Sequence, residues 1–168
     1  GSSVSIGAYN KANGQSSFAL GESTKANGKY STSMGYKTVA NGTSSIAIGY
    51  ESRTNGPYSL AQGYQSYANG ISSIAMGYQA KACAPYSISL GQQNYAQGRN
   101  SFAVGYRSYA NKPYSVAIGR EVISRGNGSV ALGYKTKASG WGSTAIGTDT
   151  KASGHTSTAM GSGTKASG

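Results

Sequence analysis

Small, apolar and polar positions alternate along this chain with a period that never slips. Glycine recurs at 7, 21, 35, 49, 63, 77, 91, 105, 119, 133, 147 and 161, every fourteenth residue. A serine stands four residues before each of these glycines, from Ser3 to Ser157. Between them runs Ser-φ-Ala-φ-Gly, where φ is mostly aliphatic, as in Ser45-Ile46-Ala47-Ile48-Gly49. Alternation with period two is a strand pattern. With the repeat numbered 1 to 14, positions 9 to 12 form a second short strand, and the glycines at 7 and 14 punctuate two bends. Position 12 is Ala except at Thr54 and Ser124, and position 14 is Gly except at Ala84 and Lys112. Twelve such repeats, without an insertion, account for all 168 residues. An unbroken short period indicates identical stacked turns. Fourteen residues are too few for a helix pair. The expected fold is therefore all-β: one parallel β-roll domain over residues 1–168, twelve 14-residue turns about 4.8 Å apart, roughly 58 Å long.

Which face points inward follows from size. Positions 3, 5 and 7 share one face and are almost invariant Ser, Ala or Ser, and Gly. Positions 4 and 6 share the other and range from Phe18 and Phe102 to Thr32, Met34 and Gln62. A two-strand turn of this length encloses a very thin interior that admits only small side chains. Invariant smallness thus marks the inside, with positions 10 and 12 meeting it from the second strand. The buried serine hydroxyls need partners, either backbone or the neighbouring serines of the stack. Positions 4 and 6 are left as an outward apolar stripe: Val4, Ile6, Phe18, Leu20, Ile46, Ile48, Ile74, Met76, Phe102, Val104, Val116, Ile118, Val130 and Leu132. A stripe of that extent exceeds what a monomer leaves in water, and identical rods match it in length and register.

Composition agrees with a thin interior. The chain has 26 Gly and 14 Tyr but only 2 Phe and 1 Trp, which excludes a large aliphatic and aromatic core. Charged residues are 11 %, about half the usual globular share. The net charge of +11 favours acidic partners. No apolar run approaches the roughly 18 residues of a membrane helix, no N-terminal stretch reads as a signal peptide, and the single Cys83 excludes an intramolecular disulfide.

The runs Ser115-Val116-Ala117-Ile118-Gly119, Ser45-Ile46-Ala47-Ile48-Gly49 and Ser129-Val130-Ala131-Leu132-Gly133 resemble the head repeat of trimeric autotransporter adhesins, the YadA-like head. The resemblance covers all twelve repeats. It implies a left-handed β-roll and a homotrimer in which positions 4 and 6 meet around the three-fold axis. It also implies a bacterial surface fibre with a coiled-coil stalk and an outer-membrane anchor, neither of which is contained in this chain. Membrane attachment would run only through that anchor. The family is associated with adhesion to host matrix proteins, cells or other bacteria, and heads of this kind also occur as spacers.

Candidate chemistry is sparse. Glu22, Glu51, Glu121 and Asp149 lie at position 8 or 9, the closest two turns or roughly 9.6 Å apart, so no acid–base pair forms along one chain. His155 and Cys83 are six turns apart and make no metal site. No catalytic residue, metal or cofactor is expected, no phosphate-binding loop is present, and no specific nucleic-acid recognition is implied. The expected activity is non-enzymatic attachment. Ten of the 15 basic residues fall at positions 9 or 11 of the second strand, including Lys137, Lys151 and Lys165. They form a stripe that either attracts an anionic surface polymer or solvates the sheet. Glu51 and Asp149 are placed to neutralise Arg53 and Lys151.

Tyrosine forms its own rows. Position 8 carries Tyr36, Tyr50, Tyr64 and Tyr78, which either stack as packing or present recognition surface, and Tyr67, Tyr95 and Tyr109 replace basic residues at position 11. Position 2 carries Tyr30, Tyr58, Tyr86 and Tyr114, 28 residues apart and with the parity of positions 4 and 6. They are expected to line a groove between protomers that takes a glycan or matrix protein. Trp141 and His155, at position 1 of adjacent turns, can stack, and Ile123 faces outward in a turn without Tyr at position 8. Two other functions fit the repeat. One is a structural spacer or fibre segment. The other is a binder of ice or another crystalline surface, which requires the Ser and Ala rows at positions 3 and 5 to face solvent.

Overall fold

The computed structural model describes residues 2–168, and among these there are strands and turns but no helix. Each turn contributes one five-residue strand and one two-residue strand, from β1 (Val4–Ala8) and β2 (Lys11–Ala12) to β23 (Thr158–Ser162) and β24 (Lys165–Ala166). The long strands form one twelve-stranded sheet and the short strands another, each in chain order. All pairings are parallel, and every residue faces its counterpart fourteen positions on: Ile74 opposite Ile88, Lys81 opposite Tyr95. The fold is a parallel β-solenoid of twelve turns.

The interior is as thin as expected. Positions 3, 5, 10 and 12 meet inside, and alanines such as Ala47, Ala61, Ala82 and Ala117 have no accessible surface. The largest fully buried side chain is Val122, followed by Asn94 and a set of threonines. Burial of the Ser and Ala rows removes the condition that a crystal-surface binder places on positions 3 and 5. Most serine hydroxyls are satisfied by backbone rather than by the serines above and below. Ser45, Ser59, Ser73 and Ser143 Oγ donate to the carbonyl three residues earlier at 2.6–2.8 Å. Position 10 closes the other corner: Ser52 and Ser66 Oγ donate to the carbonyls of Gly63 and Gly77 in the next turn, both at 2.8 Å. Where Asn replaces Ser there, its amide does more. Asn94 Nδ2 donates to Leu90 and Gly105 carbonyls at 2.6 and 2.7 Å, and Oδ1 accepts from the Ser108 amide at 2.8 Å.

Two details differ from the pattern read along the chain. The second strand spans positions 11 and 12 only, because position 9 adopts a left-handed conformation, as at Gln65 (φ 48°) and Lys37 (φ 51°). Position 7 is part of the long strand rather than a bend after it, and lies at the margin of the interior, partly exposed. Its φ runs from 111° to 135°, a region closed to other residues, and a Cβ there would fall on the carbonyl oxygen of the glycine one turn on. Position 14 suffers only the second restriction, without a left-handed φ. That difference matches glycine in every copy at 7 and the Ala84 and Lys112 exceptions at 14.

The left-handed residues have a structural role. Strand residues donate their amides to the following turn, as Val4 N to Ser17 O at 2.9 Å. At positions 2 and 9 the reversed conformation turns the amide round, so Tyr30 N donates to Gln15 O and Lys37 N to Glu22 O in the preceding turn, both at 2.9 Å. Each turn is thus bonded in both directions.

Replacing Ala47 by Leu should destabilise the rod by about 1–3 kcal/mol, the usual range for overpacking, whereas Ile48→Leu should cost well under that. Chemical denaturation of the two variants checks the order. Equal effects, or the reverse order, would contradict the inside–outside assignment.

Candidate functional site

Because position 10 points inward while 9 and 11 flank it, the side chains at 9 and 11 stand outside as two parallel rows with a groove between them. In the central turns this groove has a volume of about 520 Å³ and is lined by Gln65, Gln79, Gln93 and Arg107 on one side and Tyr67, Lys81, Tyr95 and Tyr109 on the other. The position-9 row is one hydrogen-bonded chain. Arg107 Nε donates to Gln93 Oε1 at 3.1 Å, Gln93 Nε2 to Gln79 Oε1 at 3.2 Å, Gln79 Nε2 to Gln65 Oε1 at 3.0 Å, and Gln65 Nε2 to Glu51 Oε2 at 2.9 Å. A cation donates at one end, a carboxylate accepts at the other, and three amides between them point the same way.

The position-11 row is held by ring contacts. Lys81 Nζ lies between the Tyr67 and Tyr95 rings, 5.8 and 4.8 Å from their centroids. Tyr95 stacks on Tyr109 with centroids 5.4 Å apart. The side chain of Tyr95 holds the Lys81 ammonium above the ordinary lysine pKa, with burial opposing, so it is charged throughout the physiological range.

Further along, the same groove changes character. A stretch of about 430 Å³ is lined by Lys135, Lys137, Asp149, Thr150, Lys151, Gly163 and Lys165. Lys137, Lys151 and Lys165 are direct register partners, so three like charges stand opposite one another across adjacent strands, an arrangement that costs stability. The stripe expected from the sequence therefore lines a groove.

Other expected site residues are placed as follows. Tyr30, Tyr58, Tyr86 and Tyr114 are 52, 65, 49 and 61 % exposed. Each has a φ of 58–59° within the bend before the long strand, so strand parity does not govern them and does not assign them to the face of positions 4 and 6. Val4, Ile6 and Ile46 on that face are exposed. Phe18, Leu20, Ile48, Ile74, Met76, Phe102, Val104, Val116, Ile118, Val130 and Leu132 are half-buried by their neighbours in the stack.

Tyr36, Tyr50, Tyr64 and Tyr78 form a continuous stack with centroids 4.9–5.0 Å apart, and Trp141 stacks on His155 at 4.7 Å. Glu51 is engaged by Gln65 instead of Arg53. Among the described residues the one ion pair is Arg120–Glu121 at 3.7 Å, so Asp149 does not pair with Lys151. Cys83 is exposed at a corner; partial shielding of its thiol from water raises the pKa, with the Lys81 charge opposing.

Reading along the chain had overlooked two amide ladders. One is the glutamine row. The other is Asn13, Asn27, Asn41, Asn55 and Asn69 at position 13, linked Nδ2 to Oδ1 at 2.7–2.8 Å. Both were detectable as the same amide at fourteen-residue intervals.

A solenoid that displays ladders of side chains in register is a scaffold for surface contact. The family model described as YadA head domain repeat (2 copies) matches residues 1–24, 26–52, 55–80, 68–94, 96–121, 124–150 and 152–168. The chain belongs to this family, and is an adhesin-type domain of a kind displayed at the cell surface. A comparison with curated proteins gives no match.

Replacing Lys137, Lys151 and Lys165 by Ser should raise the denaturation midpoint slightly, by relieving the stacked charge. It should also lower retention on heparin, measured at ~0.15 M salt, where screening acts beyond about 8 Å. Unchanged retention would take this stretch out of polyanion binding.

Proposed function

We propose that the chain is the head of a homotrimeric adhesin, a left-handed β-roll whose three copies meet through positions 4 and 6 and whose second sheets face outward. The observation that carries the reading is the row of aliphatic and aromatic side chains on the outer face of the long strands, repeated turn after turn and only half-covered within one chain. Apolar surface of that extent needs a partner, and a second and third copy supply one with the same period. The whole chain serves as one head domain, presented on a stalk and held by an outer-membrane anchor. The trimer attaches to an extracellular matrix protein, a glycan or an anionic surface polymer by non-enzymatic contact.

The ligand-facing residues in this reading include Tyr30, Tyr58, Tyr86 and Tyr114, whose rings stand in solvent, and the lysines at 137, 151 and 165. Tyr combines a broad apolar ring with a polar tip and loses little entropy on binding.

Light scattering of the purified chain at micromolar concentration should give a trimer. Changing both Ile48 and Ile118 to Asp should dissociate it, because six carboxylates would converge near the axis. A monomeric wild type would defeat the trimer reading. Replacing the four position-2 tyrosines by Ser should leave the trimer intact and weaken attachment of protein-coated beads to matrix or cells. Undiminished attachment would locate adhesion on another face.

A further inference from the structure

We propose that the central groove, between the Gln65–Gln79–Gln93–Arg107 row and the Tyr67–Lys81–Tyr95–Tyr109 row, is a binding site for a linear glycan bearing carboxylates. The site differs from both the position-2 tyrosines and the lysine stretch. It rests on the reading of this rod as a displayed binding surface for its purpose, while its chemistry follows from the groove alone.

The first argument is hydrogen-bonding capacity. Each glutamine amide has two N–H donors and a carbonyl with two lone pairs. The ladder uses one N–H and one lone pair of each. Three successive turns therefore retain a spare donor and a spare acceptor at regular intervals. Their orientation is already fixed by the chain running from Arg107 to Glu51, so little side-chain freedom is lost on binding. Paired donors and acceptors repeated along a line are what a chain of vicinal hydroxyl groups requires.

The second argument concerns the opposite wall. Tyr95 and Tyr109 cover one another face to face, and Lys81 fills the space between Tyr67 and Tyr95. Between these rings the faces are taken by neighbours, leaving edges and hydroxyl groups for a ligand. Single-stranded nucleic acid is held mainly by base stacking on open ring faces, which this wall withholds. A polyhydroxylated chain needs polar edges, which it supplies.

A peptide strand fits less well. Its like-facing side chains recur about every 6.8 Å, whereas the ring stacks of this rod repeat at 4.9–5.4 Å. The groove also lies on a sheet face whose backbone groups are paired turn to turn, so strand addition through main-chain bonds is not available.

The third argument is charge. Lys81 and Arg107 line the groove and no carboxylate does. Lys81 sits in mid-groove with its ammonium already desolvated in part by two rings, which strengthens its attraction for an anion. The glycan should therefore be acidic, with hydroxyls meeting the amides and a carboxylate meeting Lys81.

The test uses the purified wild-type chain with oligogalacturonate, in which every sugar carries a carboxylate, and the methyl ester of the same oligomer, which lacks the charge. Calorimetry should show binding of the acid and much weaker binding of the ester. Tyr95→Phe and Tyr109→Phe keep the stack and remove two hydroxyls, and Gln79→Leu breaks the ladder. The triple variant should bind roughly tenfold more weakly, as expected for a few lost hydrogen bonds. Lys81→Met should erase the preference for acid over ester. In a background carrying Lys137→Ser, Lys151→Ser and Lys165→Ser, which removes the polyanion stretch, binding of the acid and its dependence on the groove variants should persist.

The proposal is overturned if neither oligomer binds at millimolar concentration, or if acid and ester bind alike. It also falls if affinity follows the three lysines and ignores the groove variants, or if oligothymidylate displaces the acid at equal concentration. Bead attachment, measured in parallel, separates this from the adhesive reading. Attachment that persists without oligomer binding counts against the groove alone. Oligomer binding without attachment supports the groove and counts against adhesion.

Discussion

The interior of each turn is as wide as two small side chains, and almost every other feature depends on that narrowness. Ala47 and Ala61 are fully enclosed, and among the described residues nothing larger than Val122 is. An ordinary domain stabilises itself by burying large aliphatic groups. Here little of that contribution exists, and stability must come from backbone pairing repeated along the stack. Pairing of that kind tolerates no change of turn length, because one inserted residue would shift every later side chain to the other face. The unbroken fourteen-residue register, the glycines at position 7 and the left-handed residues at 2 and 9 are parts of one requirement: each turn must superpose on the next.

A thin interior moves the chemistry outward. Side chains that cannot be buried are carried as rows, and each row is spaced by the strand separation. Like residues in a row then interact whether or not a ligand is present. Tyrosines stack on tyrosines from Tyr36 to Tyr78, and glutamines relay hydrogen bonds from Arg107 to Glu51. The first two kinds of row stabilise the rod, whereas a lysine row such as 137, 151 and 165 opposes it. Lysines placed in register against this cost have a stronger claim on an external anion than scattered surface lysines would. The rod can also change its surface chemistry along its length without changing its fold, from amide and phenol in the middle to ammonium near the C-terminal end.

Much of this was legible in the sequence. Invariant Ser and Ala at positions 3 and 5 against variable residues at 4 and 6 identify inside and outside, and burial follows that division. Less legible was local backbone geometry. Position 9 is mostly Lys, Glu, Gln or Arg, with Tyr9, Ser23, Asp149 and Gly163 in the remaining turns; only the last two favour a left-handed conformation, so the second strand read as four residues when it is two. For the same reason parity does not locate the tyrosines at position 2, since alternation holds only through an extended chain and these residues have a left-handed φ. The glutamine row was visible as spacing but not as a chain of bonds, because which amide donates depends on Glu51 and Arg107 at its ends.

The sequence by itself determined the solenoid, its turn count, its thin core and its family, because each follows from a strict period and from side-chain size. Only the tertiary structure decided which exposed rows face each other across a groove. That depends on the reversal of the backbone at position 9 and the inward turn of position 10, which bring residues 9 and 11 of each turn to the same side. Periodicity places residues along a row; the fold of the individual turn sets the distance between rows.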